Sequence, residues 1–455
     1  MIKLVGKGSF GEVWDSQHKI TKNRVAIKII SKTKLSQDTA MKAQMKAEFE
    51  LLKKMDHPNV MRIFEAFENR TNIYIVSEFM DGGTLTKRSE NKLLQEREIS
   101  AIMSNVLTGL AYCHGMGIAH RDLKPDNLMY ETKGQNSCLK LIDFGLSILL
   151  DKKKTCREVL GSPLFMAPEV VKDLPYNEKC DIWSCGIMLY RFLSSQEPFN
   201  PKTIEQLYSM IKVANFRMDS LSGKFWNHVS INAKKFLLRM LVNDPKSRAS
   251  AAELLKDNFI ASNCPDVPIP EEVGKSMLEN FYEFSKESSL QRLVRNFIAV
   301  SISTTDTINQ IRNDFKLMDK NKDGKISKKE FTEYSSIMAE NLGIETNELE
   351  LMFQKIDTDK SGFIDYTEFL SASLNNSLIS ERKNLESVFN FIDKNKSGFI
   401  SPFEFKSIFK GEFGPAQGTI EKILKELDED KNNKIGKEEF INSMQKVMHY
   451  QNDNF

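Results

Sequence analysis

The sequence predicts an α+β region over roughly residues 1–260, followed by an all-α region over residues 306–455. The first region opens with a glycine-rich turn beside β-branched segments and continues in helical patterns. The last region repeats an acidic 12-residue stretch whose starts lie 38, 36 and 35 residues apart, which indicates a recurring helix–loop–helix unit. The two regions also differ in charge, with a net of +8 before Asp306 and −6 from Asp306 onward.

Length and composition fit a soluble globular chain of two to four domains. The 455 residues are 40% hydrophobic and 28% charged, and no run approaches the 18 apolar residues of a membrane span. The opening MIKLVGKGSF lacks the regions of a signal peptide. The six cysteines include no CxxC pair, which is typical of reduced thiols in the cytoplasm. The positive charge of the first region is spread along it, so we expect no nucleic-acid partner.

The glycine-rich turn is GKGSFGEV at Gly6–Val13, which fits the pattern G-x-G-x-x-G-x-V. Alone this pattern is a weak signal, because it also opens dinucleotide-binding folds and occurs in chance turns. Here VAIK at Val25–Lys28 follows, where a dinucleotide-binding unit would need a helix directly after the glycines. A hairpin of the glycine loop and a return strand would place Lys28 beside bound phosphates.

Further motifs follow in a fixed order. Glu48 lies in a helical pattern ahead of Pro58. HRDLKPDN at His120–Asn127, DFG at Asp143–Gly145 and APE at Ala167–Glu169 complete the series. Each motif can arise by chance, but their order and separations make chance negligible. This constellation resembles the eukaryotic protein kinases over roughly residues 1–260, and the resemblance implies a bilobal α+β kinase fold.

The resemblance implies roles for the residues in these motifs. Lys28 contacts the α- and β-phosphates of ATP, and Glu48 holds Lys28. Asp122 orients the attacking hydroxyl and accepts its proton, and Lys124 steadies the transferred phosphoryl group. The residues implied to hold Mg²⁺ are Asn127 and Asp143. The residues implied to contact ATP are Gly6, Lys7, Gly8, Ser9, Phe10, Gly11, Val13, Ala26, Lys28, Ser77, Glu78, Met80, Met129 and Asp143.

Other positions are expected to brace the site. Arg248 would pair with Glu169, and Asp181 would hold the catalytic loop from a buried helix. A surface charge is the plain alternative for Arg248. The apolar stack expected behind the adenine site comprises Leu52, Ile63, His120 and Phe144, for which ordinary core packing is an equally good description.

Two departures bear on control of the enzyme. Ser77 is small and leaves room behind the adenine, so we expect bulky ATP-competitive compounds to inhibit. Glu158 stands where many kinases carry a phosphorylated threonine, and it offers Arg121 a permanent anion. A solvated loop glutamate is the alternative for Glu158, and Thr155 is an alternative phosphorylation site.

A third departure bears on substrate choice. Basic-directed relatives place acidic residues along the peptide groove, and Asp126 keeps one of them. Thr84 and Arg191 stand at two other such positions. We therefore expect serine/threonine specificity without a strong requirement for an upstream arginine.

The four acidic stretches of the last region are predicted calcium loops. Asp319–Glu330 fits D-x-[DN]-x-[DN]-G-x₅-E, Asp357–Glu368 and Asp393–Glu404 fit with serine at the fifth position, and Asp428–Glu439 carries Asn433 in place of the glycine. The predicted calcium ligands are side-chain oxygens at positions 1, 3, 5 and 12 and the backbone carbonyl at position 7. They are Asp319, Asn321, Asp323, Lys325 and Glu330 in the first loop; Asp357, Asp359, Ser361, Phe363 and Glu368 in the second; Asp393, Asn395, Ser397, Phe399 and Glu404 in the third; and Asp428, Asp430, Asn432, Lys434 and Glu439 in the fourth.

Pairing of these loops is predicted by their eighth position. An isoleucine stands there each time, which suits a short strand joining the first loop to the second and the third to the fourth. In the third loop, Ser401 and Glu404 are predicted to form a helix-capping box. The fourth loop has Gly436 at the capping position, so we expect it to bind calcium more weakly than Asp357–Glu368.

Residues 261–305 connect the two regions. A proline-rich segment is followed by an amphipathic pattern that we predict to be one junction helix. Its predicted apolar stripe comprises Met277, Phe281, Phe284, Leu290, Leu293, Val294, Phe297 and Ile298. We expect an inhibitory helix that is also the target of the calcium loops, while a packing helix of either neighbour is the alternative.

The order of kinase, junction helix and four EF-hands resembles the calcium-dependent protein kinases of plants and apicomplexan-type protists. The resemblance implies a cytoplasmic, monomeric, calcium-activated Ser/Thr kinase acting on protein substrates, with a calmodulin-like domain that blocks the active site at low calcium. Relatives usually carry an N-terminal extension, and a lipidated one would add membrane association. The alternatives are a calcium-responsive scaffold with an inactive kinase fold and a kinase regulated by separate calmodulin.

Overall fold

The computed structural model describes residues 2–7, 11–19, 23–32, 52–90, 92–149, 159–264, 271–301, 306–408, 427–428 and 430–449. The chain forms two compact units, built mainly from residues 1–267 and from residues 268–455. Several residues singled out by the sequence lie outside the described part of the chain: Gly8, Ser9, Phe10, Glu48, Thr155 and Glu158.

The first unit begins with a five-stranded sheet of order β1-β2-β3-β5-β4. Its strands are β1 (Lys3–Lys7), β2 (Gly11–Gln17), β3 (Arg24–Ser31), β4 (Ile63–Glu68) and β5 (Asn72–Glu78). The β-branched VAIKII run forms β3 and pairs antiparallel with β5, which sets Lys28 opposite Ile75 and Ala26 opposite Ser77. A Cβ on Gly11 would lie 1.9 Å from the Ile29 carbonyl oxygen, so only glycine fits where β2 passes β3.

The rest of the first unit is mainly helical around a long central helix, Glu96–Gly115. Gln95 and Glu98 form a capping box at its start, and it packs against the helices Lys179–Ser194, Ala251–Leu255 and Asn258–Asn263. The other helices are Leu85–Ser89, Pro168–Val171, Ile204–Lys212 and Ile231–Met240. Short strands at Ile118–Ala119, Leu128–Tyr130, Leu139–Leu141 and Ile148–Leu149 carry the loops that hold the candidate catalytic residues.

Across its described residues, the second unit consists of helices and two small two-stranded sheets. Its helices are Glu271–Lys286, Ser289–Ser301, Asp306–Met318, Lys328–Leu342, Thr346–Ile356, Tyr366–Ser373, Asn376–Ser380, Arg382–Ile392, Pro402–Ile408 and Lys437–His449. Ile326–Ser327 pairs with Phe363–Ile364, and Phe399–Ile400 pairs with Ile435–Gly436. The predicted pairing of the loops through their isoleucines is therefore confirmed.

The junction contains two helices where the sequence predicted one, so that expectation was wrong. The first junction helix is Glu271–Lys286 and the second is Ser289–Ser301. The break is explained by Ser288, whose backbone amide donates to the Gln291 side chain while the Gln291 amide donates to the Ser288 hydroxyl. This reciprocal S-x-x-Q cap starts a new helix and interrupts the apolar pattern.

Most of the apolar stripe that the structure describes is buried within the second unit, namely Met277, Phe281, Phe284, Leu290, Val294 and Ile298, and Phe297 is half-buried. Phe281 lies 5.6 Å, between ring centroids, from both Phe331 and Phe369, and Phe297 lies 4.7 Å from Phe391. The first junction helix packs on the helices of the first loop pair, and the second also contacts helix Arg382–Ile392. Within the described residues, no helix is both long and apolar enough to cross a membrane.

Candidate functional site

Asp122 lies at the centre of the candidate active site and its carboxylate accepts several hydrogen bonds. Oδ1 accepts from the Ser162 amide at 2.9 Å and from the Ser162 hydroxyl at 2.7 Å. Oδ2 accepts from the Lys124 ammonium at 2.8 Å and from the Asn127 amide nitrogen at 3.0 Å. The Lys124 ammonium also donates to the Ser162 hydroxyl at 2.7 Å. These contacts fix the Asp122 carboxylate in one orientation.

The catalytic loop, His120–Asn127, is held in place by Asp181, which lies fully buried on helix Lys179–Ser194. Its carboxylate accepts from the backbone amides of His120 and Arg121, each at 2.8 Å, and lies 3.0 Å from His114 Nε2. Burial alone would raise the pKa of Asp181, but the hydrogen bond and charge of His114 outweigh it and hold the pKa below the usual aspartate range. An ionised Asp181 orders the backbone at Arg121, which has a φ of 67°.

Lys28 and Asp143 meet across the nucleotide side of the site. The Lys28 ammonium lies 2.5 Å from Asp143 Oδ1, and Asp143 itself adopts a left-handed conformation with φ 61°. Burial alone would raise the pKa of Asp143, but the Lys28 ammonium outweighs it and lowers that pKa. The sequence paired Lys28 with Glu48, which lies outside the described residues, so that pairing stays a prediction.

The candidate adenine side is formed by the sheet and the strand that leaves it. Ser77 is buried at the end of β5, directly opposite Ala26 on β3. The Glu78 carboxylate accepts from the Lys140 ammonium at 2.7 Å and from the Arg62 amide at 2.7 Å. Behind them, Leu52, Ile63, His120 and Phe144 are all buried, and the His120 and Phe144 rings lie 4.9 Å apart.

Arg248 and Glu169 form a buried bidentate pair in the helical part of the first unit. The two guanidinium nitrogens donate to the two carboxylate oxygens at 2.7 Å and 2.9 Å. Arg248 also donates to the carbonyls of Val242 and Lys179. Charged side chains that are buried this completely need full pairing. The two hydrogen bonds confirm the predicted pairing of Arg248 with Glu169.

The residues expected along the peptide groove are Thr84, Arg191 and Asp126, and their role there stays a prediction. Thr84 caps helix Leu85–Ser89 through the Lys87 amide. Arg191 pairs with Glu197 at 2.9 Å, and its guanidinium lies 5.7 Å from the centroid of the Phe165 ring. Asp126 is exposed to solvent.

The second, third and fourth calcium loops share one backbone scheme. The first aspartate of each loop accepts two backbone amides from positions 5 and 6, for example Ser361 and Gly362 on Asp357 at 2.9 and 3.0 Å. Position 6 takes a positive φ in every loop, including Asn433 at 60°. Asparagine tolerates this conformation better than most residues, so the fourth loop closes without glycine.

The carboxylates of two loops converge in the manner a calcium ion requires. In each of two clusters, one oxygen per residue lies within 4.8 Å of the others; the clusters are Asp357, Asp359 and Glu368, and Asp428, Asp430 and Glu439. Burial raises the pKa of Glu368 to about 7. Carboxylates crowded together and partly desolvated fit a hard divalent cation, which would offset their repulsion.

Comparison with known proteins agrees with this geometry. A family model described as protein kinase domain matches residues 1–260. A model described as EF-hand domain pair matches residues 308–374 and 382–445. Calcium-dependent protein kinase 4 of Plasmodium falciparum is 32% identical over 465 residues, covering 99% of this chain and 86% of that protein.

The chain belongs to the calcium-dependent protein kinase family. It is a calcium-regulated serine/threonine protein kinase, and such a kinase acts with ATP, a divalent metal and calcium. Calcium-dependent protein kinase 7 of Arabidopsis thaliana is 33% identical over 97% of this chain and 81% of its own length. Calcium-dependent protein kinase 5 of Plasmodium falciparum is 32% identical over 83% of this chain, which spans 65% of that relative.

Sequence reasoning missed one residue in the site of this calcium-dependent protein kinase. Ser162 contacts both Asp122 and Lys124, yet it was not singled out. The preceding Gly161 has φ 116°, and a Cβ there would lie 2.6 Å from the Arg121 carbonyl oxygen. A glycine followed by a hydroxyl residue just before Ala167–Glu169 was the available signal.

Proposed function

We propose that Asp122, Lys124 and Ser162 carry out the positioning steps of phosphoryl transfer from ATP to a protein serine or threonine hydroxyl. The observation that supports this is the hydrogen-bonded cluster on Asp122, which already accepts one hydroxyl at 2.7 Å from Ser162. A substrate hydroxyl held in the same manner would donate to the Asp122 carboxylate, which would accept its proton. The Lys124 ammonium would lie beside the group in transfer and offset its negative charge.

We propose Mg²⁺ as the divalent metal, held by Asn127 and Asp143. Asn127 donates through its nitrogen to Asp122, and Asp143 Oδ1 accepts from Lys28. Among the described residues, no hydrogen bond reaches Asn127 Oδ1 or Asp143 Oδ2, so both remain available as hard oxygen ligands. When bound, Mg²⁺ supplies positive charge against the β- and γ-phosphates of ATP.

The catalytic assignment is tested by substitution in the full chain, with transfer to a serine peptide measured in calcium. We expect Asp122→Asn to lower kcat by on the order of 10²- to 10⁴-fold, as loss of a positioned base does. Asn127→Ala should raise the Mg²⁺ concentration needed for half-maximal rate. Asp173→Asn, at an exposed aspartate, is the matched control. Wild-type kcat in Asp122→Asn would refute the assignment.

We propose that calcium controls the kinase within the chain. In this proposal residues 1–260 are the catalytic region, residues 261–305 the connector with the junction helices, and residues 306–455 the calmodulin-like sensor. Burial of Phe281 against Phe331 and Phe369 supports it, because the junction is then part of the sensor core. Calcium binding changes the packing of sensor EF-hands, so it would also change the position of a helix packed between them.

The regulatory proposal is tested through the second loop. Glu368→Gln removes a carboxylate from the cluster with Asp357 and Asp359, so we expect a higher calcium concentration for half-maximal activity. Glu340→Gln, at an exposed glutamate outside the loops, is the control. An unchanged calcium dependence in Glu368→Gln would contradict the proposed role of this loop.

We also propose that the kinase acts as a monomer in the cytoplasm. The cysteines that the structure describes are unpaired, which supports a reducing compartment. Light scattering of the purified chain should give the mass of one chain both with and without calcium. A calcium-independent mass of two chains would refute the monomer.

A further inference from the structure

An open groove of about 640 Å³ lies beside the candidate catalytic residues. Lys124 and Ser162 line it, and both contact the Asp122 carboxylate. The groove is therefore continuous with the place where the acceptor hydroxyl would lie. A protein segment next to the acceptor residue would have room to lie along it.

Several of the side chains that line the groove are apolar. Leu164, Phe165, Ile204 and Leu207 line it, and Ile204 remains 42% exposed at the start of helix Ile204–Lys212. Thr203 caps this helix through the Gln206 amide at 3.3 Å, which fixes the position of the first turn. An apolar side chain of a bound segment would remove Ile204 from water, so the groove favours such a side chain beside the acceptor.

The charged side chains that line the groove differ in whether they already have an ion-pair partner. The Lys124 ammonium already pairs with Asp122 at 2.8 Å. Lys202 is exposed, and within the described part of the chain no carboxylate lies within ion-pair distance of its ammonium. Asp126 is the carboxylate on the rim, and it is exposed as well. Behind Phe165, the guanidinium of Arg191 adds further positive charge, shared with Glu197.

We propose that Lys202 is a specificity-determining residue that binds an acidic side chain of the protein substrate. The same substrate segment places an apolar side chain over Ile204 and Leu207. This assignment rests on the proposed function, because it places the acceptor hydroxyl at Asp122. It adds the substrate class, which is an acceptor flanked by an apolar and an acidic residue rather than one defined by an upstream arginine.

The test is a peptide set measured with the full chain in calcium. Each peptide has one serine, and Glu, Gln or Lys is placed in turn at each of the neighbouring positions. We expect Glu to exceed Gln in kcat/KM by about threefold at one position at least, the effect of an exposed ion pair. Lys202→Ala should bring the ratio to one, and Lys202→Glu should make Lys the favoured residue at the same position. Lys212→Glu, an exposed charge outside the groove, should leave the ratio unchanged.

The apolar part is tested with Ile204→Ser, which changes an exposed side chain and so leaves folding intact. The preference for Leu over Ala beside the acceptor should fall by on the order of fivefold. An equal Glu-to-Gln ratio in wild type and Lys202→Glu, or no preference for Glu at any position, would overturn the proposal for Lys202. Failure of the proposed function is distinguishable, because wild type would then equal Asp122→Asn on every peptide.

Discussion

The guanidinium of Arg295 donates from Nε to the Glu287 carboxylate at 2.6 Å, and both side chains are buried. Arg295 also donates to the Leu374 carbonyl and to the Asn376 side chain. Glu287 stands at the break between the two junction helices, and Leu374 and Asn376 lie in the segment between the second and third calcium loops. One side chain therefore ties the junction to the middle of the calcium-binding region.

Removal of this side chain should destabilise the second unit. Arg295→Met leaves the buried Glu287 carboxylate without its hydrogen-bond donor, which costs about 3–5 kcal/mol. Denaturant unfolding of the full chain in calcium measures the loss. The double variant Arg295→Met with Glu287→Leu should recover much of it, because no charge then remains unpaired. A cost under about 1 kcal/mol for Arg295→Met would show that the pair contributes little.

Ser77 should determine sensitivity to bulky ATP-competitive compounds. It is buried opposite Ala26, so the space behind the adenine side is bounded by two small side chains. Ser77→Met fills that space, and we expect the inhibitory concentration of such compounds to rise by more than about tenfold with little change in the KM for ATP. Ser77→Ala should keep the sensitivity. Equal potency on wild type and Ser77→Met would refute the placement of Ser77.

The fourth calcium loop should gain more from a cap than from a glycine. Gly436 donates its amide to Glu439 at 2.7 Å but has no side chain to complete the cap that Ser401 provides in the third loop. Gly436→Ser should tighten calcium binding at this loop by roughly three- to tenfold, the value of a helix cap. Asn433→Gly should change it less, because Asn433 already adopts φ 60°. Calorimetry on the full chain measures the calcium affinity of the two variants. A larger gain in affinity from Asn433→Gly than from Gly436→Ser would contradict this prediction.

Asp314 should make the second unit less stable as the pH rises. Burial raises its pKa to about 6, and its carboxylate accepts from Gln310. An acid whose pKa is higher in the folded state than in the unfolded state favours folding while the folded state keeps its proton. Its contribution to the free energy of unfolding is therefore largest near pH 4 and is lost as the pH passes 6. Asp314→Asn should therefore raise the calcium-free thermal midpoint at pH 7.5 and leave it nearly unchanged at pH 4. A thermal midpoint of Asp314→Asn below that of wild type at pH 7.5 would contradict this prediction.

Elements specified by a repeat or by a family motif were predictable, and those specified by an isolated cap or by a contact outside the motifs were not. The isoleucines at the eighth position recur within each loop, so the pairs Ile326–Ile364 and Ile400–Ile435 followed from the repeat. The break at Ser288 depends on one local cap. Because the apolar spacing continues across it, the spacing alone does not reveal the break. The contact of Ser162 with Asp122 spans 40 residues, and no periodic pattern specifies it.

The most direct test measures phosphate transfer to a serine peptide by the purified full chain, in calcium and in a calcium chelator, with no calmodulin added. We expect transfer to rise at least about tenfold with calcium, since a coupling of roughly 1–3 kcal/mol is typical between a regulatory and an active site. Asp122→Asn should lower the rate of transfer by on the order of 10²- to 10⁴-fold in both conditions. Equal activity of the wild-type chain with calcium and with chelator would show that this kinase does not carry its own calcium switch.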